Sequence, residues 1–472
     1  MSSLIGAEGM GLYQLIISVY VFFTAFASGG LTTAVTRQVA DRISQDDQKG
    51  AKRALWFSVI LTIFISAFMV VLVLVFSRKI AVFLIKDIRS LSAIKILTLG
   101  FPFMGVASCF KGYFLARRNA KTPSTALLIE QSVRMALVFL LCKGAASKSL
   151  EVACAAVLLA DGISEGVSCI YLAFYTVLDT KKLSKKGKTA RFTKIIKENL
   201  RISLPITLGK YLATFLRTAE NLLMPLTLSK YTSSYKASLG QFGMIKGMVL
   251  PILFFPSSLL GSITTLLIPE VSNAKANNDA RVIKKAVIKS IKITLYSSYI
   301  IAGIFLFNAQ RLGVLIYKSE SVGYLIKALA PLVPIMYLDS MADGLLKGLD
   351  RQNNTLFYGF IDSLLRISLI LVLVPKFGMT AFLGIMFLSN MVTCFLNTRR
   401  LILDAEVKIS VGDIFIKPFL CLIVALFIAQ SLLITANGLA NIVYVMLYSG
   451  ISVTIYCFLM FVLGLIPKPG KK

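Results

Sequence analysis

The residues with the greatest chemical potential in this 472-residue chain are charged side chains set inside long apolar runs. A charge at the centre of a bilayer costs at least ~2.5–3.5 kcal/mol, so each one is a functional candidate by default. They fall at Lys111, Glu130, Arg134, Asp161, Glu165, Lys210, Arg217, Glu220, Lys246, Asp339, Asp343, Lys347, Asp362 and Arg366. Spacing sorts them, because residues three or four apart share a helix face. Glu130/Arg134, Asp362/Arg366 and Asp343/Lys347 are opposite charges at i,i+4. They can neutralise one another within a helix, so a structural pair and a functional site are both open readings. Arg217-Thr-Ala-Glu220-Asn221 lies midway along an apolar run, with Lys210 two turns earlier on nearly the same face. Lys210 and Arg217 could bind an anion such as a phosphate through charge-assisted hydrogen bonds, with Glu220 orienting Arg217 and Asn221 a further candidate substrate-binding residue. Asp161 and Glu165 repel each other on one face, which points to a proton or cation site or to partners on other helices. Lys111 and Lys246 sit nearer the ends of their runs and can snorkel to the interface.

The elements that carry these residues are membrane helices. The chain is 57% hydrophobic with mean hydropathy +0.79, above the ~45–50% of soluble domains. Thirteen apolar runs reach spanning length: 12–35, 54–77, 92–116, 124–142, 150–178, 200–228, 238–268, 286–307, 323–348, 356–374, 379–398, 415–436 and 439–465. They are continuous rather than alternating, so helices rather than barrel strands satisfy their backbone. The predicted fold class is an all-α polytopic membrane protein.

The first half of the sequence recurs 232 positions later without a gap for about 130 residues. Identities include Phe22/Phe254, Gly29/Gly261, Val39/Val271, Asp47/Asp279, Ser58/Ser290, Thr62/Thr294, Lys86/Lys318, Pro102/Pro334, Gly112/Gly344 and Arg134/Arg366, with Glu130 facing Asp362. Membrane repeats of this kind build alternating-access transporters. The predicted organisation is an N-terminal helical lobe at 1–178, a basic linker at 179–199, a C-terminal lobe at 200–403 and an additional transmembrane hairpin at 404–472. The run 200–228 immediately precedes the second copy, and its counterpart would lie before Met1. A first helix is therefore expected to be missing from this chain, thirteen spans of fourteen being present.

Net charge is +29 with no histidine. Alternate loops carry about thirty Lys and Arg against about twelve, which places the linker and the C-terminal tail (Lys468, Lys471, Lys472) in the cytoplasm by the positive-inside tendency. The excess fits anionic lipid headgroups; nucleic acid is not expected, since the basic linker lacks interleaved aromatics. Without histidine the commonest general base and metal ligand are absent, and no catalytic residue, metal or cofactor is expected. The seven cysteines lie in apolar runs and read as small packed hydrophobes. Gly6-Ala-Glu-Gly9-Met-Gly11 lacks the strand and Lys-Ser/Thr of a phosphate loop and reads as a turn at a helix entrance. Prolines 102, 205, 225, 251, 256, 331 and 334 interrupt the runs and supply kinks.

Several segments resemble the stage V sporulation protein B group: Leu4-Ile-Gly-Ala-Glu-Gly-Met-Gly-Leu-Tyr-Gln-Leu15, Leu216-Arg-Thr-Ala-Glu-Asn-Leu-Leu-Met-Pro225, Leu239-Gly-Gln-Phe-Gly-Met-Ile-Lys-Gly-Met-Val-Leu-Pro251, Leu267-Ile-Pro-Glu-Val271 and Gly344-Leu-Leu-Lys-Gly-Leu-Asp-Arg351. The resemblance implies the oligosaccharide-lipid flippase branch of the multidrug/oligosaccharidyl-lipid/polysaccharide (MOP) superfamily, to which MurJ-like lipid II flippases belong. It implies two lobes, a central cationic cavity and a groove made with the last two helices. It further implies transport of an undecaprenyl-pyrophosphate-linked saccharide across the cytoplasmic membrane, with cell-wall synthesis proteins as candidate partners. The rival readings are a multidrug/cation antiporter of the same superfamily, which would want an acidic cavity, a membrane glycosyltransferase, which would need a catalytic acid on a sizeable outer loop, and a non-transporting scaffold.

Overall fold

The computed structural model describes residues 2–28, 30–145, 150–181, 192–277, 279–407, 410–433 and 440–465. Among them the chain is helical throughout, with no strand. The basic stretch 182–191 of the linker and the C-terminal lysines lie outside the described residues.

The helices are α1 (Ser2–Ser28), α2 (Leu31–Ser44), α3 (Gln48–Lys79), α4 (Ser90–Leu97), α5 (Gly100–Ala116), α6 (Lys121–Ala145), α7 (Leu150–Lys181) and α8 (Phe192–Thr232). There follow α9 (Tyr235–Gly243), α10 (Leu250–Phe254), α11 (Ser257–Ala276), α12 (Ala280–Tyr317), α13 (Glu320–Leu329), α14 (Val333–Gly348), α15 (Gln352–Asp404), α16 (Lys417–Leu432) and α17 (Asn441–Val462). Eleven segments among the described residues are long and apolar enough to cross a membrane. The runs 356–374 and 379–398 fall together in α15, which breaks at Gly378 (φ 61°) three residues after Pro375. A Cβ at Gly378 would stand 2.5 Å from the Tyr231 ring, so only glycine turns the chain there. The Gly6–Gly11 cluster is the entrance of α1, kinked at Gly6, and its Glu8 is held by Arg89 at 2.6 Å.

The repeat is visible in the backbone. Asp47 and Asp279 cap α3 and α12, accepting from backbone amides of the first turn at 2.9 Å and 3.1 Å. Lys86 and Lys318 both end their helices in the left-handed region, with φ 56° and 53°. Arg118 and Asp350 do the same at 56° and 57°. Helices α2 and α11, α4 and α13, and α5 and α14 stop at positions 232 apart. The buried hydroxyl stripe Ser58, Thr62, Ser66 of α3 recurs as Ser290, Thr294, Ser298 of α12. Small hydroxyl residues let membrane helices approach closely while bonding back to their own carbonyls, as Thr62 does to Ser58 at 2.6 Å.

Two compact units result, Met1–Pro225 and Leu226–Lys472. The division falls inside α8, whereas the sequence reading gave all of 200–228 to the second lobe. The reason is local. Within α8, Tyr211 stacks on Phe26 at 4.0 Å and donates to its carbonyl, and Thr218 and Asn221 bond to Ser18 of α1. The first unit packs around Leu55, Phe110, Tyr113 and Leu172. The second has one core around Val287, Leu345 and Leu401 and another joining α12 to the hairpin α16–α17 through Ile300, Leu422, Leu426 and Tyr448. Outward faces are apolar, Phe64, Val75 and Phe83 being at least 70% exposed, as lipid requires. Of the described cysteines five are buried; Cys457 is exposed, contrary to its reading as a packed hydrophobe, because α17 turns that face away from its partners.

In the first unit α5 passes close to α2 at Gly112, where a Cβ would stand 2.6 Å from the Thr32 carbonyl oxygen. Gly112→Ala is expected to cost about 1–3 kcal/mol by overpacking. Gly359→Ala, at a position with nothing within 4 Å, serves as the control. Thermal unfolding in detergent should show a lower midpoint for the first variant alone; equal midpoints would contradict the packing.

Candidate functional site

Three helices of the first unit converge on a polar cluster. On α1, Tyr13 and Tyr20 are seven residues apart and therefore on one face, with Ser18 between them. On α7, Asp161 and Glu165 share a face at i,i+4, and α6 brings Glu130 and Arg134 in the same way. The Arg134 guanidinium bridges two helices, with Nη2 2.9 Å from Glu130 Oε1 and Nε 2.8 Å from Asp161 Oδ1. Tyr13 donates its hydroxyl to Asp161 Oδ2 at 3.2 Å. Tyr20 donates to Glu165 Oε2 at 2.7 Å. Among the described residues Glu165 makes no ion pair. Its hydrogen bond to Tyr20 depends on Gly100 of α5, where a Cβ would meet the Tyr20 hydroxyl at 2.7 Å and Glu165 Oε2 at 2.9 Å.

The cluster thus holds three carboxylates and one guanidinium, an acidic surplus in a low-dielectric bundle. Such a surplus is costly unless a proton or cation joins it. The intrahelical pair read from the sequence is present, but Arg134 serves α7 as well, and the Asp161–Glu165 repulsion is relieved by partners on α1 and α6.

In the second unit the arrangement changes. Arg366 pairs with Asp362 at 3.0 Å, matching the first unit's pair. At the positions 232 beyond Asp161 and Glu165 stand Thr393 and Asn397, both neutral. Asn397 donates to Asp339 Oδ1 of α14 at 2.8 Å. Asp343 and Lys347 form an ion pair, half exposed on α14.

The α8 residues separate. Glu220 is buried, and Asn221 donates to Ser18 Oγ at 2.9 Å. Lys210 and Arg217 are exposed, and Arg217 makes no ion pair among the described residues. Glu220 therefore does not hold Arg217, a correction to the predicted pairing; at i,i+3 the two diverge where one side of α8 packs inward. No group of three or more His, Cys, Asp and Glu side chains arranged to hold a metal occurs among the described residues.

The second unit also contains a groove of about 880 Å³ between α12, α14, α15 and α16. Tyr299, Phe307, Leu338, Met391 and Phe419 line it, and Arg399 contributes a cation. Sequence reading missed Tyr13 and Tyr20 and could not assemble this groove; the seven-residue tyrosine spacing on α1 was the available signal for the first.

These features define a multi-pass helical membrane protein built of two repeated units plus a hairpin, the fold of the MOP superfamily. The family model described as "Polysaccharide biosynthesis protein" matches residues 1–275, more than half of the chain, and the chain belongs to that family. It is 25% identical over 379 residues to stage V sporulation protein B of Bacillus subtilis (strain 168), covering 79% of this chain and 72% of that protein. Sporulation protein YkvU of the same organism is 23% identical over 335 residues, covering 69% and 72%. Among solved structures, lipid II flippase MurJ in an inward closed conformation aligns with TM-score 0.73 and 12% identity, over 98% of this chain and 95% of that one. An inward-facing MATE family multidrug resistance transporter of the MOP superfamily aligns with TM-score 0.65 and 14% identity, over 86% and 96%. The fold and the expected resemblance to the stage V sporulation protein B group are borne out.

A double-mutant cycle tests the cluster. Tyr20→Phe, Glu165→Leu and the double variant, compared by unfolding in detergent, should show a coupling of about 1–3 kcal/mol, because each single change strands the other's polar group. Strict additivity would place the two side chains out of contact.

Proposed function

We propose that this protein transports a lipid-linked saccharide, of the polyprenyl-pyrophosphate kind, across the cytoplasmic membrane in building a cell or spore envelope. The observation that carries the reading is the apolar groove in the second unit, made with α16 of the hairpin that lies outside the repeat. An isoprenoid chain needs a continuous hydrocarbon surface, and the groove lining is almost wholly apolar, with Arg399 able to pair with a phosphate. Family membership and the stage V sporulation protein B relative support an envelope role.

The headgroup presents the opposite problem, since pyrophosphate and sugar cannot cross hydrocarbon unaided. Exposed and without an ion pair among the described residues, Arg217 and Lys210 are suited to replace phosphate hydration, while Asn221 fixes α8 against α1 through Ser18. The acidic surplus around Asp161 and Glu165 is suited to take up a proton or a monovalent cation. Occupation would neutralise a carboxylate and change how tightly α7 holds α1 and α6, coupling ion binding to helix rearrangement. The loop charges put the C-terminus in the cytoplasm. With that orientation an inside-negative potential drives each negative charge outward by ~2.3 kcal/mol per 100 mV.

A second reading, export of cationic compounds, draws on the same acidic surplus and on the likeness to the MATE transporter. Complementation of a strain depleted of its lipid II flippase separates the two. The unaltered chain is expected to restore growth. Met391→Trp, which fills the groove from an exposed position, and Arg217→Glu are expected to abolish rescue at unchanged membrane expression. Full rescue by both variants, or drug resistance without rescue, would overturn the assignment.

A further inference from the structure

A second cleft, of about 1100 Å³, lies on another side of α12, between it and α17. Its composition changes along its length. At one end stand Arg281, Lys284, Lys285, Lys289 and Lys292; further along come Tyr296, Ile300 and Ile301, facing Val453, Tyr456 and Met460 of α17. The cations occupy two adjacent rows of one helix, Arg281, Lys285, Lys289 and Lys284, Ile288, Lys292, each stepping by four. They therefore point the same way over about 16 Å of helix axis. Among the described residues Arg281, Lys284, Lys285 and Lys289 make no ion pair. The acid facing this stretch, Asp413, interacts with Lys292 and is already bonded to Lys417 at 2.6 Å. Four like charges on one side of a helix, with no acidic partner among the described residues and an apolar slot beside them, fit an anion bearing hydrocarbon chains.

We propose that this cleft is a binding site for an anionic two-chain phospholipid of the cytoplasmic leaflet, phosphate among Arg281, Lys284, Lys285 and Lys289 and acyl chains between α12 and α17. Loop charges place this end of α12 at the cytoplasmic face, where anionic lipids attract basic clusters. Bound there, the lipid clamps the hairpin helix α17 to the second unit, independently of which molecule the groove beside α16 carries. The site is distinct from that groove, which uses Leu295, Tyr299 and Leu306 of α12 and does not involve α17.

Cys457 lines the cleft and is exposed, so it reports on the site directly. The experiment is quenching of a bimane on Cys457 in nanodiscs containing brominated phosphatidylglycerol or brominated phosphatidylcholine, with Cys457→Ser as the background control. The expected result is quenching by the anionic lipid at about fivefold lower mole fraction than by the zwitterionic one, lost in Arg281→Gln/Lys284→Gln/Lys285→Gln/Lys289→Gln and weakened by salt. Val453→Trp, which fills the slot without touching the charges, should also reduce it. Equal quenching by the two lipids in the unaltered protein, or unchanged selectivity in the Gln variant, overturns the proposal. So does displacement of phosphatidylglycerol by a lower concentration of polyprenyl phosphate, which would make the cleft a substrate site.

Discussion

The structure turns on the cost of keeping ionised side chains inside a bilayer. A buried charge there needs a partner, and where that partner stands on a neighbouring helix it fixes rotation and height together. Arg134 illustrates this: it hydrogen-bonds Glu130 on its own helix and forms an ion pair with Asp161 of α7, which ties α6 to α7. Tyr13 and Tyr20 do the same for α1, and Gly100 supplies the clearance that lets Tyr20 reach Glu165. Apolar packing alone would not specify such a register, because lipid is as good a solvent for leucine as another helix is. An acidic excess remains, Glu165 making no ion pair among the described residues.

The repeat shows what duplication preserves and what it frees. Caps, left-handed helix ends and the hydroxyl stripes of α3 and α12 recur at a constant offset, because backbone geometry in a membrane tolerates little change. Charge does not recur in the same way. Thr393 and Asn397 stand 232 positions beyond Asp161 and Glu165, and Asn397 holds the partly buried Asp339 of α14. The first unit thus gathers an acidic surplus on α6 and α7. The other, extended by α16 and α17, presents apolar grooves flanked by cations. This division of labour suits a carrier of amphiphiles better than a carrier of small polar solutes.

Much of this was legible in the chain itself. Run length and the 232-residue offset gave the helices and the duplication, and i,i+4 spacing gave Glu130/Arg134 and Asp362/Arg366, since those contacts are local to one helix. What could not be read is what crosses between helices. Tyr13 and Tyr20 look like ordinary interfacial aromatics until α7 is placed beside α1. Arg217 and Glu220 seemed a pair, but burial of one side of α8 against Ser18 and Phe26 separates them. The same contacts group the part of α8 up to Pro225 with α1. In soluble proteins the apolar face announces what is inside; in a membrane helix both faces are apolar, and that contrast is lost.

The central claim is movement of a phosphate-bearing amphiphile from one leaflet to the other. Its most direct measurement places the purified protein in liposomes with a polyprenyl-pyrophosphate sugar carrying a fluorophore on the headgroup, and follows the fraction reached by an impermeant reductant. The account predicts that inner-leaflet probe becomes accessible over time in proteoliposomes and not in protein-free vesicles, faster under a membrane potential that drives the anion outward. An accessible fraction fixed at the outer-leaflet share, with and without protein, would contradict it.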